Sequence, residues 1–549
     1  MTRIVFIALA LVAIVVAAVV WSGAGGVEEP ADFRFINRGE IKTLDPNRIS
    51  WMQDVRMGLA LWEGLYQLDP KTADAIPGTA GKIDISDDQL VYTFHIRPEA
   101  RWSNPEADPV RAQDFVFAWR RMLEYPGDYT YLFFYIKGAR EYSEAFGKKE
   151  TTDFATVGIE ALDDKTLRVT LSHPVPFFPD LCAFPSFFPL HEASMLPFLD
   201  PSTGTYRKEF TKPPHLVTNG PYRMHAWQFK RRLRLVANDN YWDRANVKCR
   251  IIDQISAEDA AVQYNMFQTG AVDWLADVNS EFGSAMRDRQ DKSLHVFPGF
   301  GTYFYSFNCL PKLPDGRDNP FADVKVRRAL TMAIDKKPIV ENVSRMGEEI
   351  ATTYVPPHGF PTYPSPAGIK HDPEAAKRLL AEAGFPGGKG FPKVTLLFNT
   401  GSHHDQVAQI IRRQWQEVLG IDVDLEGVEV KIFGERLHNQ QYAVARASWI
   451  GDYGDVSTFT DKYLSVSENN DCKWVSKPYD DLCAQAAIEP DPTKRLKLLA
   501  AAEKILLDEA PIIPIYFYVN YYLLKDNIQG LYENPRNMQN FKAIEVVGE

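Results

Sequence analysis

A chain of 549 residues with 45% hydrophobic and 24% charged side chains has ordinary globular composition. It is too long for one compact core, so two or three lobes are expected. The net charge of −11 and scattered lysines and arginines argue against nucleic acid as a partner. The one short basic run, "KRR" at 230–232, reads as a solvated strand end.

At the N-terminus, "MTRIVFIALALVAIVVAAVVWSGAGG" (1–26) places Arg3 before an apolar run from Ile4 to Trp21, and small residues follow. This is the pattern of a secretory signal, with Ser22 and Ala24 suiting a cleavage site. The run also approaches the length of a membrane span, so an uncleaved anchor stays open. Both readings predict an exported protein, periplasmic or otherwise extracytoplasmic.

Further along, "VYTFHIRP" (91–98), "TLRVTLS" (166–172) and "RRLRLVAN" (231–238) are rich in β-branched and aromatic residues and predict strands. The stretch "DVKVRRALTMAID" (323–335) predicts a helix. So does "HDPEAAKRLLAEAGF", with Asp372 as N-cap, Pro373 at the first helical position and Gly384 as terminator. Strands follow at "KVTLLFN" (393–399) and "IDVDLEG" (421–427). A last helix in "DPTKRLKLLAAAEKILLDEA" (491–510) runs into the apolar strand "PIIPIYFYVN". The mixed order indicates α/β lobes. Proline- and glycine-rich loops lie at 355–368 and 384–392. In the second, Lys389 is followed by Gly390, not Ser or Thr, so it is a surface turn and no phosphate loop.

Signs of catalysis are missing. No G-x-S-x-G elbow and no H-E-x-x-H helix occurs. "HEASM" (191–195) lacks the second histidine. In "SHHD" (402–405) the adjacent histidines would point apart on a strand and fail to chelate an ion, so no metal and no catalytic residue is expected. The five cysteines (182, 249, 309, 472, 483) form no C-x-x-C pair. A bridge between Cys472 and Cys483 stays open, and the odd count leaves at least one thiol free.

The most informative stretch is "ARASWIGDYGDVSTF" (445–459), which reads as a strand carrying Arg446, Trp449, Gly451 and Asp452. A free peptide is a zwitterion whose backbone needs partners wherever water leaves. A strand edge flanked by a fixed carboxylate and a fixed cation would hold one, and six extended residues span ~20 Å. A structural ion pair with a core tryptophan is the plainer reading of the same residues.

Motifs elsewhere tilt the balance. "LDP" (44–46), "LWEGLY" (61–66), "YTFHIRPEARWSN" (92–104), "RAQDFVFAWRR" (111–121), "VPFFPDL" (175–181) and "TNGPY" (218–222) occur in that order. "VRRALTMAIDKKPIVENV", "LLFNTGSHH", "VARASWIGDY" and "PIYFYVN" follow. Together they resemble the peptide-binding (family 5) solute-binding proteins of bacterial ABC importers, in particular the oligopeptide-binding ones, from about residue 33 to 545. The resemblance implies a type II periplasmic-binding-protein fold of the cluster C kind. Lobe I would comprise 27–62, 213–301 and 519–549, the extra subdomain 63–212, and lobe II 302–518.

That likeness also implies roles. Asp452 would hold a ligand's α-ammonium and Arg446 its α-carboxylate, with His404 as a second carboxylate-end group. Trp449, Ile450 and Gly451 would supply backbone partners and an aromatic wall. Tyr131 and Tyr518 would be wall aromatics near the lobe junction, and Met52 a further contact. This chain departs from the pattern elsewhere. A lysine of some relatives falls at Ser344, beside Arg345, and a cysteine clip falls at Gly301 and Ile450. A pocket tryptophan becomes Val430, a Tyr–Asn pair becomes Ala276 and Asp277, and another aromatic position is Phe304. The implied partners are short peptides and the permease subunits of an ABC importer, with no cofactor and a monomeric chain. Dipeptides, cell-wall peptides, haem or nickel chelates remain alternative ligands, and an exported peptide hydrolase an alternative function.

Overall fold

The computed structural model describes residues 28–548. The expected signal or anchor at 1–26 lies outside them. Among the described residues, no helix is long and apolar enough to cross a membrane.

Ten strands form one mixed sheet. At one end stand Tyr222–Gln228, Arg232–Ala237 and Ile251–Ile255, paired antiparallel. Phe33–Ile36 then pairs parallel to Ile251–Ile255 and to Trp274–Leu275. Two long strands, Ile512–Leu524 and Leu294–Phe307, lie in the middle and pair with each other. Beyond them come Val444–Ile450, Val394–Asn399 and Val423–Val428.

The two long strands carry the widest break in this layout. Leu294 to Pro298 pair with Leu523 to Val519, and pairing resumes only at Thr302 with Phe517. Gly299, Phe300 and Gly301 therefore oppose Tyr518 alone, a bulge that bends the ladder. An added side chain would crowd its neighbours there. A Cβ on Gly299 would sit 2.8 Å from the Tyr518 carbonyl oxygen, and one on Gly301 2.4 Å from Ile450 Cδ1. Hydrophobic cores lie on either side of the break. One gathers Phe33, Phe35, Trp62, Trp119 and Trp274. Another gathers Tyr303, Leu396, Trp415 and Ile513, and a third Phe304, Tyr354, Phe459 and Leu506.

A separate four-stranded antiparallel sheet comprises Ala80–Ile85, Val91–Ile96, Thr166–Thr170 and Ile159–Asp163. In Val91–Ile96, Tyr92, Phe94 and Ile96 are buried while the intervening residues are only partly so, the alternation of a one-faced strand. The Arg121 guanidinium ties this region to the main body through a two-pronged pair with Asp45, at 2.8 and 2.7 Å.

The punctuation read from the sequence forms as expected. Asp372 caps Pro373–Glu382 by accepting from Ala375 N, and Gly384 stands at φ +96°. Asp323 and Asp491 cap Val324–Met332 and Pro492–Glu509 in the same way. Two details differ. His403 and His404 sit at the start of the helix His404–Leu419, not on a strand, because His403 takes a left-handed turn at φ 60°. The strand of the central motif ends at Ile450, so Asp452 lies in the turn beyond it.

Candidate functional site

Val444–Ile450 pairs along its whole length with Leu294–Phe307 on one side. Gly451 donates its N–H to Phe300 O at 2.9 Å, and Thr302 stands opposite Trp449. Bonded pairs alternate along an antiparallel ladder, so residues 445, 447, 449 and 451 turn their amide groups toward that neighbour. Arg446, Ser448 and Ile450 turn theirs to the other edge. There, Val394–Asn399 pairs only as far as Ala445. The same three residues line a chamber of about 860 Å³, together with Met52, Asp277, His404 and Tyr518.

Arg446 lines the chamber along with Arg38 and Arg56. Its Nη2 donates to Tyr518 Oη at 2.9 Å and its Nη1 reaches Asn399 Oδ1 at 3.4 Å. The guanidinium lies 4.9 Å from the Tyr303 ring centre, and Nε has no partner. All of these partners are neutral. His404 lies beside it, 5% exposed, with Nδ1 3.1 Å from the Tyr303 hydroxyl. Burial, then the nearby Arg446 and His403, press its pKa down to about 3. His404 is therefore neutral at physiological pH. It can offer a ligand a hydrogen bond from a neutral ring nitrogen but no positive charge of its own.

Asp452 occupies a second, open cavity of about 410 Å³ with Trp51, Asp128, Tyr129, Tyr131, Trp449 and Asn469. Tyr131 donates to its Oδ2 at 2.6 Å, and its own N–H is held by Thr458 Oγ1 at 2.9 Å. Burial raises its pKa against the opposing pull of Tyr131, Arg536 and Lys462. Those two cations are engaged elsewhere, Arg536 with Asp180 and Lys462 with Asp471 at 3.5 Å. Asp452 and Arg446 thus answer neutral hydroxyl and amide groups, not each other. The structural ion pair considered from the sequence does not form.

The remaining candidates divide. Trp449 donates to Thr458 O at 2.7 Å while Lys462 Nζ lies 4.6 Å from its ring centre, and it forms a wall of the Asp452 cavity. Gly451 lets the chain pass Phe300, whose Cε1 would lie 2.1 Å from a Cβ there. Asp277 is paired with Arg38 Nε at 2.9 Å. Phe304 lines not this chamber but the smaller recess beside Arg446; it is 0% exposed and packs edge-on against Tyr354 at 5.5 Å. Alternation along the strand turns it to the face opposite Tyr303, so the two rings enter different cores.

Sequence reasoning passed over several lining groups. Trp51 is half exposed with Lys42 Nζ 3.1 Å above it, and an exposed tryptophan is itself a signal. Lys462, Asp471 and Ser448 line a smaller recess of about 220 Å³ beside Arg446 and carried no sequence signal. All five cysteines are free thiols. Cys472 hydrogen-bonds through its backbone to Cys309, not Cys483, so the sequence-adjacent pair is not bridged. Gly301 stands directly opposite Ile450, the positions of the absent clip. Among the described residues, no group of three or more His, Cys, Asp or Glu is placed to hold a metal.

Comparison with known proteins places this architecture. The chain is 34% identical over 485 residues to the oligopeptide-binding protein OppA of Bacillus subtilis, covering 86% of this chain and 84% of that one. It is 33% identical over 502 residues to the periplasmic oligopeptide-binding protein OppA of Salmonella typhimurium, covering 90% and 88%. The solved structure of Haemophilus influenzae OppA in complex with RPPGFSPFR superposes with a TM-score of 0.75 at 27% identity, over 95% of this chain and 100% of that one. These structural neighbours and the large mixed sheet make the fold the type II periplasmic-binding one. With residues 74–471 matching the family model for bacterial extracellular solute-binding proteins, family 5, the chain belongs to that family.

Proposed function

We propose that this protein captures short peptides in an interlobe cleft outside the cytoplasm and delivers them to the permease of an ABC-type importer. In this reading it is a monomer that carries out no chemistry. The relatives named for oligopeptide binding, and the neighbour with a peptide in place, support the ligand class. The observation that carries the reading is local. A carboxylate and a guanidinium, each hydrogen-bonded through its side chain only to neutral groups, flank a strand whose outer neighbour pairs with it only as far as Ala445.

In the proposed mechanism, the ligand backbone extends along Arg446, Ser448 and Ile450 as an added strand. Its α-ammonium meets Asp452 and its α-carboxylate meets Arg446 by charge-assisted hydrogen bonds. Lobe I (27–62, 213–301, 519–549) with its subdomain (63–212) would close on lobe II (302–518) at the bulge of the two long strands. Closure removes water from both charges. A buried charge left without its partner costs about 3–5 kcal/mol, so the closed form is favoured when a zwitterion supplies both partners.

Calorimetry with a free-amine peptide and its N-acetylated twin tests this. Asp452→Ala is expected to weaken the free-amine peptide at least ~10-fold, which is ~1.4 kcal/mol. The acetylated peptide should bind the wild type poorly. Equal affinity of the two peptides for the wild type would remove Asp452 from the role.

A further inference from the structure

Cys309 and Cys472 are far apart in sequence but adjacent in the fold, and Cys472 lines the smaller recess beside Arg446. Cys309 follows directly on the strand Leu294–Phe307, and Cys472 sits in the loop after the helical turn Asp461–Tyr463. The Cys309 N–H donates to the Cys472 carbonyl at 2.9 Å. A backbone bond of that length sets the two Cα atoms about 5–6 Å apart, inside the range a disulfide spans. Both side chains pack in the same aromatic core, Cys472 at 1% exposure and Cys309 at its more open margin.

We propose that Cys309 and Cys472 are a disulfide site, closed by thiol–disulfide exchange with a small-molecule or protein disulfide outside the cytoplasm. The inference rests on the export reading, because cytosolic thiols are kept reduced. The exchange balances. Cys309, the accessible thiol, attacks the oxidant's disulfide and forms a mixed disulfide, releasing one reduced thiol. Cys472 thiolate then attacks the Cys309 sulfur and expels the second. Two thiol hydrogens leave the protein and the oxidant gains two. Local chemistry favours the second step. Burial pushes the Cys472 thiol up, but a hydrogen bond from the Cys309 thiol, the Trp474 N–H and the Lys462 ammonium outweigh it, leaving Cys472 lowered. Cys309 is raised by the same thiol–thiol hydrogen bond, then by burial.

The bridge would act on the ligand site. Asn469, Asp471 and Cys472 belong to one loop; Asn469 lines the Asp452 cavity, and Asp471 and Cys472 line the recess beside Arg446. Joining that loop to the central strand fixes the wall between the two ends of the bound peptide.

The full chain, purified reduced, is incubated with oxidised glutathione and read by intact mass and peptide mapping. Expected are a loss of ~2 Da and one crosslinked peptide pair containing Cys309 and Cys472, together with a thermal midpoint higher by a few degrees. Cys309→Ser should abolish the mass loss, while Cys483→Ser should keep it. Five alkylatable thiols after denaturation, a bridge to Cys483, or a Cys309 glutathione adduct that never resolves would overturn the assignment. Calorimetry on the same reduced sample separates the two readings. Peptide binding without a bridge sinks this inference alone, and a bridge without peptide binding sinks the transport reading alone.

Discussion

His404 shows how a neighbourhood changes what a residue can do. Its pKa is pressed from 6.5 to about 3 by burial and by Arg446, so the folded protein keeps it neutral where the unfolded chain would protonate it. Between pH 3 and 6.5 the unfolded state binds more protons, and stability from this group rises with pH across that window. Urea unfolding of His404→Gln should therefore show a flatter rise in stability from pH 4 to 6.5 than the wild type. Parallel slopes would mean that His404 is solvated. Sequence placed this residue beside the ligand's carboxylate end, and the structure puts it next to Arg446. Its charge state was illegible, because desolvation depends on atoms from distant segments.

Among the elements, the helix Pro492–Glu509 has a task beyond capping. Glu503, 0% exposed, accepts from the backbone N–H of Tyr354 and Val355 at 2.8 Å each and from the Tyr363 hydroxyl at 2.7 Å. Burial raises its pKa to about 7 despite these donors. The helix thereby fastens the proline-rich loop at 355–368, which the sequence marked only as irregular. Glu503→Ala leaves three donors without an acceptor, and should cost about 2–4 kcal/mol in denaturant unfolding. A loss under ~0.5 kcal/mol, the usual range of a surface change, would show that the loop is held by other contacts. Strand and helix periodicities were readable because each is written in adjacent residues; this tie was not, since its partners lie some 140 residues apart.

For the whole molecule, a set of contacts joins residues 130–181, in the proposed subdomain, to 452–461, in the proposed lobe II. Tyr131 reaches Asp452 at 2.6 Å, Asp180 accepts from Gly454 N at 2.8 Å, and Phe177 stacks on Tyr453 at 4.2 Å. One of these bonds goes to Asp452 itself, so in the proposed mechanism ligand and closure would be coupled through that carboxylate. A free-amine peptide at 100 times its Kd should stabilise the protein by about 2.7 kcal/mol. It should also reduce the radius of gyration in small-angle scattering. A higher melting temperature with no compaction would count against hinge closure while leaving binding intact.

Sequence alone determined the α/β class, the helix caps, the strand that carries Arg446 and Trp449, and the order of motifs that marks the family. Each of these is local or additive along the chain. Tertiary structure decided that Asp452 and Arg446 occupy different cavities, that Phe304 turns into the core, that His404 is neutral, and that Cys472 faces Cys309. Burial and pairing are sums over neighbours from remote segments, and no run of adjacent residues encodes them.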